Sequence, residues 1–284
     1  MTASFGEPRN FNGLNEARGY PGTNLSPQDT HPEAATGPIR IENAGMDAIR
    51  AALRGGWADW RTFRTDVVVH VVIYPLAGAL LAGVILDRAL LPFIFPICAG
   101  LALIGPVGTI WFAALSRQSE RDGAATADAV AAIFDSPRRL TVQRLGLLLI
   151  GLFALWIIAA GVLYSITLGQ IPSGSFFGNL FTTVAGYEML TLGMLLGAGF
   201  ALVALAIGLV GFQLALDREM SVREVVSTSL HVAIANPGVT LAWGGVVVAG
   251  LVLGAIPGLL GLSVTIPVLG HASWHLYRRL VTSD

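Results

Sequence analysis

Residues 238–277 read GVTLAWGGVVVAGLVLGAIPGLLGLSVTIPVLGHASWHLY. The two apolar runs in this stretch, 238–256 and 258–277, each approach the roughly 20 residues a helix needs to cross the hydrocarbon core of a bilayer. At their junction stands Ile256-Pro257-Gly258. Pro cannot continue a helix and Gly admits a sharp reversal, so this is a turn signal. Two such runs around a short turn predict a pair of antiparallel transmembrane helices, because lipid leaves helices as the way to satisfy every backbone group within one segment.

Four further runs of similar length lie upstream, at about 67–86, 91–115, 145–167 and 189–215. The first two are separated only by Asp87-Arg88. The predicted fold is therefore an all-α integral membrane protein of six transmembrane helices arranged as three tandem hairpins. Composition agrees: of 284 residues, 54% are hydrophobic and only 12% charged. A soluble domain carries about 25% charge, and this chain has too little to cover a water-facing surface.

The same numbers exclude several chemistries. Every basic residue is Arg, which removes a Lys-bearing phosphate loop and Schiff-base catalysis. The lone Cys98 allows neither an internal disulfide nor a thiolate cluster. A net charge of -1 offers no electrostatic case for nucleic acid. No nucleophile-elbow, zincin or dinucleotide motif occurs, and no cofactor is expected.

Residues 1–44 are polar and rich in Gly, Pro, Asn and Glu, without the basic start and apolar core of a signal peptide. They read as a disordered cytoplasmic tail ahead of a transmembrane domain at 45–284. Orientation follows from Arg. With both ends inside, the inner flanks hold Arg50, Arg54, Arg61, Arg64, Arg117, Arg121, Arg138, Arg139, Arg144, Arg218, Arg223, Arg278 and Arg279, and the outer turns hold Arg88. By the positive-inside rule both termini face the cytoplasm of a bacterium, or the equivalent compartment. Asp47, Asp59, Glu120, Asp122, Asp128, Asp135, Asp217, Glu219 and Glu224 nearly balance the inner charge, which argues against strong recognition of anionic lipid.

The chain also resembles itself. The second and sixth runs align with Pro96 on Pro257, Pro106-Val107 on Pro267-Val268, and Leu115 and Arg117 on Leu276 and Arg278. The fourth run ends alike, on Leu216-Asp217-Arg218. A short amphipathic stretch precedes each pair of runs: Ile49, Leu53 and Trp57; more weakly Val130, Ile133 and Phe134; then Val222, Val226, Leu230 and Ile234. Such helices lie flat at the inner interface, apolar face towards lipid or bundle. The predicted unit is an interfacial helix plus a transmembrane hairpin, in copies at about 45–120, 124–219 and 221–281, related by an axis along the membrane normal.

Few residues are candidates for chemistry. His271 and His275 are four apart, share a helix face, and have the spacing of two ligands to one metal or haem. They sit with Trp274, Tyr277 and Arg278, a crowd that also suits anchoring at the headgroup level or hydrogen bonding between units; whether any metal binds is left open. Asp66 and His70, four apart, form a candidate proton-relay or interfacial pair. Glu188 opens the fourth run, as a helix-capping carboxylate or a cation site at the outer mouth. Phe176, Phe177 and Phe181 mark an outer interfacial segment. Gly193-x3-Gly197 and Gly250-x3-Gly254 favour close helix packing or dimerisation.

The ending Val268-Leu-Gly-His271-Ala-Ser-Trp274-His275-Leu-Tyr277-Arg278 resembles that of a bacterial family of integral membrane proteins, domain-of-unknown-function family 2189. Ala52-Leu-Arg-Gly-Gly-Trp57-Ala-Asp-Trp60-Arg, Leu103-Ile-Gly-Pro106 and Asn236-Pro237-Gly238 resemble it too, so the likeness spans about 40–281. The resemblance implies a multi-span inner-membrane protein and carries no activity or catalytic residue. A haem-copper oxidase core is excluded, since the chain has five His in all.

The expected function is that of a non-enzymatic scaffold, accessory or assembly component, with lipid and either membrane-protein partners or further copies of itself as neighbours. The alternatives are a small transporter or channel, and a haem or metal protein using His271 and His275.

Overall fold

The computed structural model describes residues 37–63, 109–126, 131, 136–171, 174–257 and 259–283. The expected runs at 67–86 and, up to residue 108, at 91–115 lie outside the described residues. So do Asp66, His70, Val130, Ile133 and Phe134.

The described chain is mostly helical. Strand β1 (Ile39–Ile41) leads into α1 (Met46–Thr62), followed by α2 (Ile110–Asp122), α3 (Arg138–Ile166), a 3-10 turn (Leu168–Gln170), α4 (Phe176–Thr182), α5 (Val184–Gly208), α6 (Gly211–Asp217), α7 (Val222–Ala235), α8 (Pro237–Ala255), α9 (Leu262–Leu280) and strand β2 (Val281–Ser283). Three stretches are long and apolar enough to cross a membrane: α3, α8, and Val184–Asp217, which holds α5 and α6. The last expected run forms α9, which is not among these three. Its second half carries His271, His275, Arg278 and Arg279, and is largely buried in protein.

α3 has 29 residues. At 1.5 Å per residue it rises about 44 Å, more than the roughly 30 Å of a hydrocarbon core. Its first turns, bearing Arg138, Arg139 and Arg144, extend beyond the apolar part. There Arg138 approaches Glu219 at 3.7 Å and Thr141 donates to the Met220 carbonyl at 2.8 Å. At the other end Tyr164 lies against Phe176. α3 and the α5–α6 stretch therefore run side by side in opposite directions.

The α5–α6 stretch breaks at Leu209–Val210 for an identifiable reason. The Ser229 hydroxyl, from α7, enters the ladder and bonds the carbonyls of Ala206 (2.7 Å) and Ile207 (3.0 Å), while accepting from the Val210 amide at 3.4 Å. A side chain inserted among i→i−4 bonds is a standard cause of a kink.

α8 and α9 also run in opposite directions. A Cβ on Gly250 would lie 3.0 Å from the Leu269 side chain, and one on Gly254 would fall 2.5 Å from Thr265 Oγ1. These two glycines allow close packing within the chain. Gly193 plays a looser version of the same role between α5 and Leu163 of α3.

α1 docks on α9 through small residues. Ala48, Ile49, Ala52, Gly56 and Asp59 are buried. At Gly56 an added Cβ would sit 2.6 Å from both the Val268 carbonyl oxygen and the Ala272 amide nitrogen, and at Gly55 it would strike the His275 ring. The expected stripe of Ile49, Leu53 and Trp57 is thus only partly the buried one; Trp57 is 47% exposed. Backbone approach is closest where side chains are smallest, so the face bearing Ala52 and Gly56 turns inward. α7 behaves alike. Val225, Ser229 and Val232 are buried, while Leu230 and Ile234 of the expected stripe stay exposed. Its start is fixed by a capping box between Ser221 and Glu224.

The expected tail departs from its assignment at 37–44. β1 pairs antiparallel with β2, in the register Ile39↔Ser283, Arg40↔Thr282 and Ile41↔Val281. Glu42 continues the ladder from its amide to the Leu280 carbonyl (3.0 Å), and Asn236 accepts from the Ala44 amide (2.9 Å) and donates to the Glu42 carbonyl (3.1 Å). Arg218 Nη1 donates to the Gly37 carbonyl at 2.7 Å. Polar composition alone reads as disorder; here the backbone groups find partners at the end of the chain.

Candidate functional site

The second half of α9 gathers the densest set of buried polar contacts among the described residues. Side chains four apart on a helix share a face. Three such pairs on α9 each meet a different set of neighbours.

His271 and His275 face α1 and α2. His275 Nε2 lies 2.8 Å from Asp59 Oδ2, Ser116 Oγ donates to that same oxygen at 2.7 Å, and His271 Nδ1 lies 2.9 Å from Ser116 Oγ. Asp59 and His271 are each 1% exposed. Phe63 stacks on the His271 ring and Phe112 meets it edge-on. Burial alone would push the Asp59 carboxyl up. The hydrogen bond and charge of His275, the Ser116 hydroxyl and the charge of His271 outweigh it and hold the group below its ordinary 3.8.

Trp274 and Arg278 face Glu120 of α2. The indole Nε1 donates to Oε2 at 2.7 Å and Arg278 Nε donates to Oε1 at 2.9 Å, so both carboxylate oxygens are engaged. Ser273 and Tyr277 face α6. Gln213 Nε2 donates to Ser273 Oγ (2.7 Å), and the Tyr277 hydroxyl donates to Asp217 Oδ2 (2.9 Å). Asp217 also takes Arg117 Nε at 3.2 Å. Burial lowers the Arg117 guanidinium from its ordinary value; Asp217 opposes this, and the nearby Arg121 and Arg138 add to the lowering.

The three Arg residues that align in the sequence each make a contact to another part of the chain. Arg117, midway along α2, bonds Asp217 at the end of α6; Arg278, in the last turn of α9, bonds Glu120 of α2; Arg218, just after α6, bonds the Gly37 carbonyl ahead of β1. Arg117 and Arg278 each join their own helix to a carboxylate of another.

Of the residues singled out from the sequence, His271, His275, Trp274, Tyr277 and Arg278 thus come together. Trp274 and Tyr277 are 2% and 1% exposed, and both turn their polar atoms to protein carboxylates. Among the described residues no three His, Cys, Asp or Glu side chains converge as metal ligands. Asp66 and His70 lie outside the described residues. Glu188 stands apart, exposed, and does not open its helix. α5 begins at Val184, where the Thr183 side chain accepts from the Gly186 amide at 3.0 Å. Thr183 is the cap, and Glu188 falls in the second turn. The Phe-rich segment forms α4, with Phe177 and Phe181 exposed and Tyr187 donating to the Phe181 carbonyl at 2.8 Å.

Asp59, Ser116, Glu120, Gln213 and Asp217 were not legible as site residues. Asp59 alone carried a signal. It continues the small-residue line Ile49-Ala52-Gly56 at helical spacing, and a carboxylate on a buried stripe demands a partner.

Residues 94–217 match the model of a family described as predicted integral membrane protein, domain of unknown function 2189. The matched stretch is narrower than 40–281. It includes Ser116, Arg117, Glu120, Gln213 and Asp217, and leaves out Asp59 and the 268–278 ending. No curated protein and no solved structure matches the chain. With its three long apolar helical stretches, the protein is an integral membrane protein in contact with the lipid bilayer.

Proposed function

We propose that the protein is a non-enzymatic scaffold or accessory component of a bacterial inner-membrane complex. In this reading it threads the bilayer six times as three two-span units, with both termini in the cytoplasm. One observation carries it: the ionisable side chains around α9 are used to join helix to helix, and the long helices present apolar surface. Leu147, Leu155, Ile158 and Val162 of α3 and Met194 and Leu195 of α5 are all exposed. Such faces suit lipid or the helices of a partner.

Two further observations support the layout. The pairing of 39–41 with 281–283 holds the two ends of the described chain together, as an even number of crossings allows. The related roles of Arg117 and Arg278, each bonding a carboxylate of another helix, fit repeated units around an axis. Affinity purification after mild solubilisation tests the function. Co-purifying membrane subunits at constant stoichiometry are expected, and recovery of the lone protein would count against the proposal.

A small transporter is the second reading. It is favoured by the buried chain of Asp59, Ser116, His271 and His275, since ionisable groups inside membrane proteins mark ion paths. Solute or ion flux in liposomes, compared with protein-free vesicles, tests it.

A further inference from the structure

An ionised carboxylate only accepts hydrogen bonds, and this orders the buried chain. Ser116 must point its proton at Asp59 Oδ2, and His275 must donate from Nε2. Ser116 Oγ then accepts from Nδ1–H of His271. The result is a continuous run of hydrogen bonds of 2.9, 2.7 and 2.8 Å from His271 to His275, made by groups from α9, α2 and α1. Its two ends differ. The His275 side chain is 11% exposed, while His271, one helical turn away, is enclosed by Phe63 and Phe112.

We infer that Asp59 and Ser116 form a proton relay connecting the partly exposed imidazole of His275 with the enclosed imidazole of His271. In the order above His271 Nδ1 already holds a proton and accepts none; inward transfer starts from the other tautomer of His271, protonated on Nε2 only, with the Ser116 hydroxyl turned from Asp59 to its Nδ1. His275 takes up a proton on Nδ1 and releases its Nε2 proton to Asp59 Oδ2. Asp59 passes a proton to Ser116 Oγ, and Ser116 passes its own to His271 Nδ1. Each step breaks one N–H or O–H bond and forms another. The carboxylate and hydroxyl are regenerated; the net change is one proton taken from solvent at His275 and delivered to His271, with His275 left neutral as its Nδ1–H tautomer. Outward transfer reverses every step.

The surroundings favour this path. Of the other charged groups on the packed helices, Arg117 of α2 is tied to Asp217 of α6, and Glu120 of α2 to Trp274 and Arg278. α8 and β2 carry no titratable side chain, and Tyr277 of α9 is bonded to Asp217. Asp59 is the carboxylate that both imidazoles address, directly or through Ser116. Gly55 leaves the room the His275 ring occupies: a Cβ there would lie 2.7 Å from the ring. The relay goes beyond the scaffold reading and does not depend on it.

The test uses the full chain in lipid nanodiscs with nitrogen-15-labelled histidine. The chain has five His, so single His→Gln variants assign the ring signals. Ser116→Ala is expected to slow solvent exchange of the His271 ring proton on the order of a hundredfold, the scale of a positioned proton-transfer group, and to leave His275 unchanged. Ser116→Thr, which keeps a hydroxyl, is expected to restore the exchange. Unchanged His271 exchange in Ser116→Ala, or no rescue by Thr, overturns the relay. If Ser116→Ala does not fold, His275→Gln serves in its place: slowed exchange at His271 supports the relay and unchanged exchange overturns it.

Discussion

At Gly56 a single methyl group would push α1 and α9 apart. The positions it would occupy belong to backbone atoms of α9, the Val268 carbonyl and the Ala272 amide, which cannot step aside as a flexible side chain can. Gly56→Ala is expected to destabilise the protein by about 1–3 kcal/mol, the usual cost of overpacking. Gly199, mid-way along α5, has nothing within 4 Å of its Cβ position. There the same change is expected to stabilise by about 0.5–1 kcal/mol, because Ala is the better helix former. Denaturant unfolding in detergent micelles, followed by helical circular dichroism, should show shifts of opposite sign. Asp59 gives a second test. Its carboxyl is held below 3.8 in the folded protein, so its stabilising effect is complete above that value. The effect is lost as pH falls through the folded-state pKa. Acid unfolding between about pH 6 and 2 is expected to be less steep in Asp59→Asn than in the wild type. At neutral pH that variant should be less stable by about 1–3 kcal/mol, since a buried acceptor shared by two donors is weakened. A neutral-pH stability equal to wild type would show that the contacts to His275 and Ser116 add nothing.

At the scale of elements, α9 explains why its sequence reads ambiguously. The spacing of His271 and His275 is a helical property and was legible, but the same spacing relates Trp274 to Arg278 and Ser273 to Tyr277. All three pairs are satisfied at once because α9 is surrounded by α1, α2 and α6. Aromatic and basic residues at a helix end anchor in headgroups when lipid surrounds them, and bond carboxylates when protein does. Which occurs depends on the neighbour and not on the helix itself. Glu188 shows the related limit at a helix start: apolar run length missed the first turn of α5, which Thr183 caps. The β1–β2 ribbon is open to direct trial. Directly opposed Cα atoms in an antiparallel pair lie about 4.5–5.5 Å apart, within the roughly 4.4–6.8 Å a disulfide spans. In a Cys98→Ser background, Arg40→Cys with Thr282→Cys is expected to crosslink on mild oxidation. Arg40→Cys with Val281→Cys, one residue out of register and facing the other way, is expected to crosslink far less. Equal yields would rule out the observed register.

At the scale of the molecule, the ribbon and the Arg-rich helix ends lie together. Membrane-impermeant maleimide should label single Cys at Arg40 and at Thr282 from one side only, the cytoplasmic side, and Cys at Gly174 from the other. Labelling of 40 and 282 from opposite sides would overturn the six-span layout. The sequence by itself determined what the chain dissolves in. Apolar run length, scarce charge and Arg placement are local or additive properties, and they survive without knowledge of any contact. It also shows a Leu two residues before an Arg at 115–117, 216–218 and 276–278, since a recurring pattern needs no neighbour to be seen. Only the tertiary structure decided which face of α1 is buried, where α5 bends, and that residues 37–44 are held against the last strand. Each of these rests on a partner far away in sequence: α9 behind Gly56, Ser229 in the broken ladder, Val281 and its neighbours beside Ile41. A helix period specifies a face only up to rotation, and the close approach of another backbone picks the rotation.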